Sequence, residues 1–343
     1  MNSFKLIMFI TIVSVDSFSI KNINPSFFLK NPWIQLYKKF NMKQVDPNYN
    51  SQIINLNDNQ TISLDWLDHD AETNHSILIY PGIFGESKHH YNQCNLFHQE
   101  LNVDVGIVNR RGHVEPIVSP YLNPIGDVED FKSVIDTIDG SITIVANSAG
   151  CTPVLQYLEK YDNGAITNVY CISGGFNIMK SFKSMPMIVN WYFSHRIRNL
   201  YYKRLRRLFP FQRKNPRYKE MKDFMNKNSV PEPIRSTILK QMRYIRPDTD
   251  FECSIDNDYN VTFVNSYDDM VFPYSYIKES IANSTSDFIT IKDKKSTQLI
   301  IYQHGKHRFI ITQWGGHLSF FEKWSDSTSW VDRFIINDLR SIL

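Results

Sequence analysis

Residues Ser141 to Tyr161 constrain this chain more than any other stretch. Ser-Ile-Thr-Ile-Val-Ala runs into Asn147-Ser148-Ala149-Gly150-Cys151, and then into a segment with Cys151, Val154, Leu155 and Leu158 at helical spacing. A β-branched run suits a buried parallel strand, and the spacing that follows gives a helix one apolar face. Ser148 has Ala146 two residues before it and Gly150 two after. A nucleophile elbow needs small residues at both places, because the chain turns there so sharply from strand to helix. Such a turn lifts the hydroxyl above the sheet edge, beside helix N–H groups able to hold an oxyanion. The plainer reading is a strand-to-helix loop capped by a serine. This stretch alone fits both.

The 343 residues are 42% hydrophobic, enough to bury a large core in one domain. A net charge of +3 points to no partner. Cys94, Cys151, Cys171 and Cys253 are too scattered for a disulfide framework, and no pair has metal-ligand spacing. No metal and no cofactor are expected. Lys5 precedes an apolar run from Leu6 to Val15, then small and polar residues to Ser19. That pattern predicts a hydrophobic leader over residues 1–20, a signal peptide or anchor, and an endomembrane or membrane-associated location. A buried N-terminal helix in a cytoplasmic protein is the alternative. Residues 21–50 lack a clear period and read as an arm lying on the domain of residues 51–343.

Along that domain strands and helices alternate. Gln52–Leu56 and Thr61–Leu67 alternate in polarity around Asn57-Asp58-Asn59-Gln60, which predicts a β-hairpin. Ser76–Tyr80 is a short apolar strand entering Pro81-Gly82-Ile83-Phe84-Gly85. A helix over Tyr91–Leu101 and a strand over Val103–Val108 lead to Asn109-Arg110-Arg111-Gly112. After Gly126-Asp127, Val128, Phe131, Val134, Ile135 and Ile138 form an apolar helix face. The elbow and a strand near Val169–Ile172 follow. From about 176 to 252 the rhythm is helical, as a lid inserted between strands would be. Within it residues 195–222 carry eleven Lys/Arg and one Glu. The basic run suits an acidic ligand, an anionic membrane or a solvated helix face; no nucleic-acid reader motif accompanies it. Strands resume at Val261–Asn265, Gln298–Tyr302 and Arg308–Thr312, with short helices from Ser275 and Trp330. The pattern predicts an α/β fold: a mostly parallel sheet with an N-terminal β-hairpin, helices on both faces and a helical lid.

Acyl transfer through a hydroxyl needs an imidazole to take its proton and a carboxylate to orient the imidazole. Three loops that follow predicted strands supply Ser148, the Asp268-Asp269 pair and His317, in that order. Ser, then Asp, then His is the chain order of α/β-hydrolases. Singly, an Asp-Asp pair is usually a turn and a Gly-Gly-His a loop. Together they make a coherent catalytic set.

Leu64-Asp65-Trp66, Pro81-Gly82-Ile83-Phe84-Gly85 and Asn109-Arg110-Arg111-Gly112 resemble one α/β-hydrolase family, the YheT-like family. So do Gly126-Asp127 with Glu129-Asp130, the elbow, Asp268-Asp269 with Pro273, and Gly315-Gly316-His317. The family includes eukaryotic abhydrolase-domain monoacylglycerol lipases, phospholipases and acyltransferases. The resemblance implies a serine hydrolase of lipid-type carboxylic esters, one able to pass the acyl group to an alcohol. It implies Ser148 as nucleophile, His317 as base and Asp269, four residues before Pro273, as the orienting acid. It also implies Ala149 and Ile83 as oxyanion N–H donors, a lipid ester as substrate and a membrane-associated N-terminus. Ala146 and Cys151 stand where the family usually has glycine, and the acyltransferase motif His-x-x-x-x-Asp of some relatives is absent. A non-catalytic lipid- or protein-binding member that keeps the fold is the alternative.

Overall fold

The computed structural model describes residues 23–57, 60–67, 74–83, 85–113, 125–175, 178–208, 219, 258–282, 299–304 and 306–343. The leader, and the intended lid beyond 208 apart from Lys219, lie outside these residues. Nine strands form one sheet: β1 (Asn50–Asn55), β2 (Thr61–Leu67), β3 (His75–Tyr80), β4 (Asp104–Asn109), β5 (Ser141–Asn147), β6 (Ile166–Ile172), β7 (Val261–Ser266), β8 (Leu299–His304) and β9 (His307–Thr312). Their spatial order is β1-β2-β4-β3-β5-β6-β7-β9-β8. The six strands from β4 to β9 in that order pair in parallel. The β1–β2 hairpin joins antiparallel at one edge, and β8 pairs antiparallel with β9 at the other.

Side-chain alternation explains why both faces are covered. On β3, Leu78 and Tyr80 enter one apolar cluster, while Ile77 and Ile79 enter the other. The first cluster takes in α3 (Val128–Ile135) and α4 (Cys151–Lys160) through Phe131, Val134, Val154 and Leu155. The second takes in α2 (Tyr91–Leu101) and the C-terminal helix Trp330–Leu339, through Phe97, Phe334 and Ile335. The predicted mostly parallel sheet with helices on both faces is therefore observed. Pro153 stands in the first turn of α4, where a missing N–H removes no intrahelical bond.

The arm departs from the sequence reading, which saw no period in it. Residues Pro32–Asn41 form a helix, α1. Asn31 caps it, accepting from the Trp33 N–H at 2.9 Å, and Pro32 takes the first helical position. The buried Gln35 amide donates to the Leu29 and Phe321 carbonyls, both at 2.8 Å, and accepts from the Phe321 N–H at 3.0 Å. Lys38 donates to the Trp324 and Asp326 carbonyls. These bonds fasten the arm to the segment just after His317. Within the region read as a lid, residues Ile178–Ser184 form helix α5 and Met187–Leu208 form helix α6. Among the described residues the remaining α-helices, in chain order, are α7 (Tyr274–Ala282) and α8 (Trp330–Leu339). Among the described residues no helix is long and apolar enough to cross a membrane.

Candidate active site

Strand β5 ends at Asn147, a single tight turn spans Ser148–Gly150, and α4 begins at Cys151. Ser148 is held at φ +52°, the left-handed region that L-residues adopt only under constraint. Gly150 is required there. A Cβ on it would stand 2.5 Å from the Pro81 carbonyl oxygen and 2.8 Å from that of Tyr80. Ala146 and Cys151 are fully buried, so the two departures from glycine fit the turn as small core residues.

The strained turn directs Ser148 at His317. Ser148 Oγ lies 2.8 Å from His317 Nε2, and His317 Nδ1 lies 3.0 and 3.2 Å from the two oxygens of Asp269. All three are buried, at 5%, 3% and 4% exposure, so water competes little for these bonds. Asp269 Oδ1 also accepts from the N–H groups of Val271 and Phe272, at 2.7 and 3.0 Å. Phe272 stacks on the imidazole with ring centres 5.9 Å apart. Asp268 points elsewhere: its Oδ1 accepts from the Gly316 N–H at 2.8 Å, and burial pushes its carboxyl pKa up. One carboxylate meets the histidine side chain and its neighbour meets the histidine loop.

The Pro81–Gly85 loop abuts this group. A Cβ on Gly82 would stand 3.1 Å from Ser148 Cβ, so a side chain there would crowd the serine. Ile83 and Ala149 are both buried beside the serine. The Gly82 carbonyl accepts from the Gly85 N–H at 2.8 Å and from the guanidinium of Arg110. Arg110 also donates to the Ile125 carbonyl at 2.9 Å. Burial lowers its pKa to about 10, which leaves it charged at neutral pH. In a planar trans peptide the carbonyl and the next N–H point in opposite directions. Arg110 thus turns the Ile83 N–H away from itself. Arg110 belongs to the Asn109–Gly112 motif, and its bond to Gly82 joins positions 28 apart in the chain.

The other motif residues knit the same region. Asn109 accepts from the Ser87 N–H and donates to Asp65, both at 2.8 Å. Arg111 forms a buried two-pronged ion pair with Asp130. Asp127 caps α3.

A solvent-open cavity is lined by Ser148 and His317. Its lining also includes Ile83, Leu318, the arm residues Leu36, Phe40 and Met42, and Phe193 of α6. The arm expected to lie on the domain thus also lines this cavity. The Asn31-Pro32 pair was the available signal for its helix. Among the described residues, no cluster of His, Cys, Asp and Glu could hold a metal.

Strand order, serine turn and buried Ser–His–Asp chain together define an α/β-hydrolase fold. No protein-family model matches the chain. It is similar to mouse phospholipase ABHD3, at 28% identity over 159 residues, 42% of this chain and 38% of that protein. The human phospholipase ABHD3 is also 28% identical over 159 residues, 39% of its length. The chain thus spans about two-fifths of the length of the curated relatives it matches. Similar solved structures include MGS-M2, an α/β hydrolase from a deep-sea metagenome, at TM-score 0.49 and 15% identity, covering 84% of this chain and 96% of that one. The esterase EaEST from Exiguobacterium antarcticum has TM-score 0.47 and 12% identity, over 85% and 99% of the respective chains.

Proposed function

We propose that the protein is a serine hydrolase of lipid-type carboxylic esters. The observation that carries this is the buried hydrogen-bonded chain from Ser148 through His317 to Asp269. Ser148 Oγ attacks the ester carbonyl as His317 Nε2 takes its proton. Asp269 accepts the Nδ1–H bond, which holds the imidazole in the tautomer with a free Nε2 and stabilises the imidazolium that forms. The Ala149 and Ile83 N–H groups receive the negative charge developing on the carbonyl oxygen. Collapse of the tetrahedral intermediate releases the alcohol with the proton from His317, leaving an acyl group on Ser148. Water, deprotonated by His317, then opens the acyl-enzyme; an alcohol in its place would make the reaction an acyl transfer. The apolar cavity walls suit an acyl chain, and the similarity to a protein named phospholipase supports the lipid class.

A panel of mono-, di- and phospho-acylglycerols, run beside fluorophosphonate labelling, tests the reading. The labelled enzyme should release fatty acid from at least one lipid class. A well-folded protein that takes no label and cleaves none would instead be a binding member of the fold.

Arg110 acts here as a positioning residue for the Ile83 donor. Arg110→Met should lower kcat by about two orders of magnitude, the cost of one oxyanion donor, with a much smaller change in KM. Arg110→Lys should recover part of the loss. Unchanged kcat in a folded Arg110→Met protein would detach this residue from the mechanism.

Membrane association remains our proposal for the leader. Deleting Leu6–Val15 should move the full-length protein from the membrane to the soluble fraction. Unchanged fractionation would count against it.

A further inference from the structure

Two adjacent lysines on α1 have different fates. Lys38 is committed to backbone carbonyls after His317. Lys39 lines the catalytic cavity, half-buried, and among the described residues its ammonium has no hydrogen bond or ion pair. Burial lowers its pKa, and the carboxylate that acts on it, Asp332, already accepts from Gln93 and the Ser329 N–H. Arg196 of α6 lines the same cavity. Lys39, His89 and Arg196 line this cavity together, and His89 feels the charges of Glu86 and Lys88 as well as those of the two cations. The neighbouring imidazoles add no charge at neutral pH: burial lowers both, His90 to about 3. No Asp or Glu is among the described residues lining this cavity.

The half-buried Lys39 ammonium loses hydration, and the exposed Arg196 guanidinium, brought from a separate element to the same cavity, adds a second positive charge to its lining. An entering anion offsets the cost of the half-buried Lys39 ammonium and is attracted by both charges. Phosphate matches best, because its oxygens accept from a guanidinium fork and from an ammonium at once. We propose that Lys39 and Arg196 form an anion subsite that receives the phosphate of a phosphate-bearing acyl ester while Ser148 attacks its acyl carbonyl. The subsite rests on the serine-hydrolase reading. It makes the arm a specificity element, since α1 supplies Lys39 to the same cavity as Leu36 and Phe40.

The test compares lysophosphatidate with a monoacylglycerol of the same acyl chain, both in neutral detergent micelles, with the full-length protein. The wild type should favour the phosphate ester in kcat/KM by about tenfold or more, the scale of charged hydrogen bonds. Lys39→Gln and Arg196→Gln should each collapse that ratio, and Lys39→Arg should restore most of it. A wild-type ratio near one overturns the subsite, as does a Lys39→Gln protein that loses both substrates equally. Inorganic phosphate is the second arm. If it inhibits monoacylglycerol cleavage in the wild type while the substrate ratio is indifferent to Lys39→Gln, the wall holds free phosphate and the headgroup assignment falls. Fluorophosphonate labelling separates the two levels. A labelled enzyme without preference sinks only the subsite, whereas a protein neither labelled nor active sinks the hydrolase reading and the subsite with it.

Discussion

Replacing Ser148 with alanine is expected to cut ester hydrolysis by at least about four orders of magnitude and to abolish fluorophosphonate labelling. The substitution removes one oxygen, the only atom of this side chain that bonds His317. Alanine fills the same backbone position as serine and shares its cost at φ +52°, so the strained turn is retained. Loss of a single hydrogen bond should change stability by about 1 kcal/mol. Melting temperature and activity should therefore separate cleanly. A folded Ser148→Ala protein with near-normal turnover would contradict the mechanism.

The second large effect concerns the two adjacent aspartates. Asp269→Asn should lower turnover by about three to four orders of magnitude. Asp269 Oδ1 accepts from the Val271 and Phe272 N–H groups, and an asparagine carbonyl would keep those bonds. Its NH2 would then face His317 Nδ1 and favour the tautomer protonated at Nε2. That tautomer cannot accept the serine proton. Asp268→Asn should cost within about tenfold, because asparagine Oδ1 can still accept from the Gly316 N–H and keep the histidine loop in place. Steady-state kinetics of both variants decides the matter. A silent Asp268 variant beside an active Asp269 variant would reverse the two roles.

The parts of this architecture legible in the sequence are those set by local chemistry. A β-branched run followed by two small residues around a serine leaves few folds open, and β5, the turn and α4 follow. The alternation in β1 and β2 and the continuous apolar β3 likewise report how many faces each strand buries. Boundaries were less legible. Strand β6 begins at Ile166 rather than near Val169, because its first turns of polarity, Thr167 and Asn168, are only half-buried and carry no pattern. Helix α1 was hidden for a clearer reason: its buried positions include Gln35 and Lys38, whose polar ends reach backbone carbonyls across nearly 290 residues. Trp33, Leu36, Tyr37 and Phe40 do recur at helical spacing, but the buried amide and ammonium between them obscure which face is covered. For the site, Ser148 and His317 were readable from the residues and their order. The choice of Asp269 over Asp268 needed the spacing to Pro273, since neighbouring carboxylates in one turn look alike until their partners are seen. The Arg110 contacts to Gly82 and Ile125, and the placement of Lys39 at the cavity, are not encoded by any local spacing.

The nucleophile itself is open to direct observation. Mass spectrometry of the fluorophosphonate-treated protein should find one dominant adduct, on the peptide carrying Asn147-Ser148-Ala149-Gly150, with the phosphorus on Ser148. An active enzyme whose adduct maps to another serine, or that stays unmodified at Ser148 while losing activity to the probe, would contradict the account at its centre.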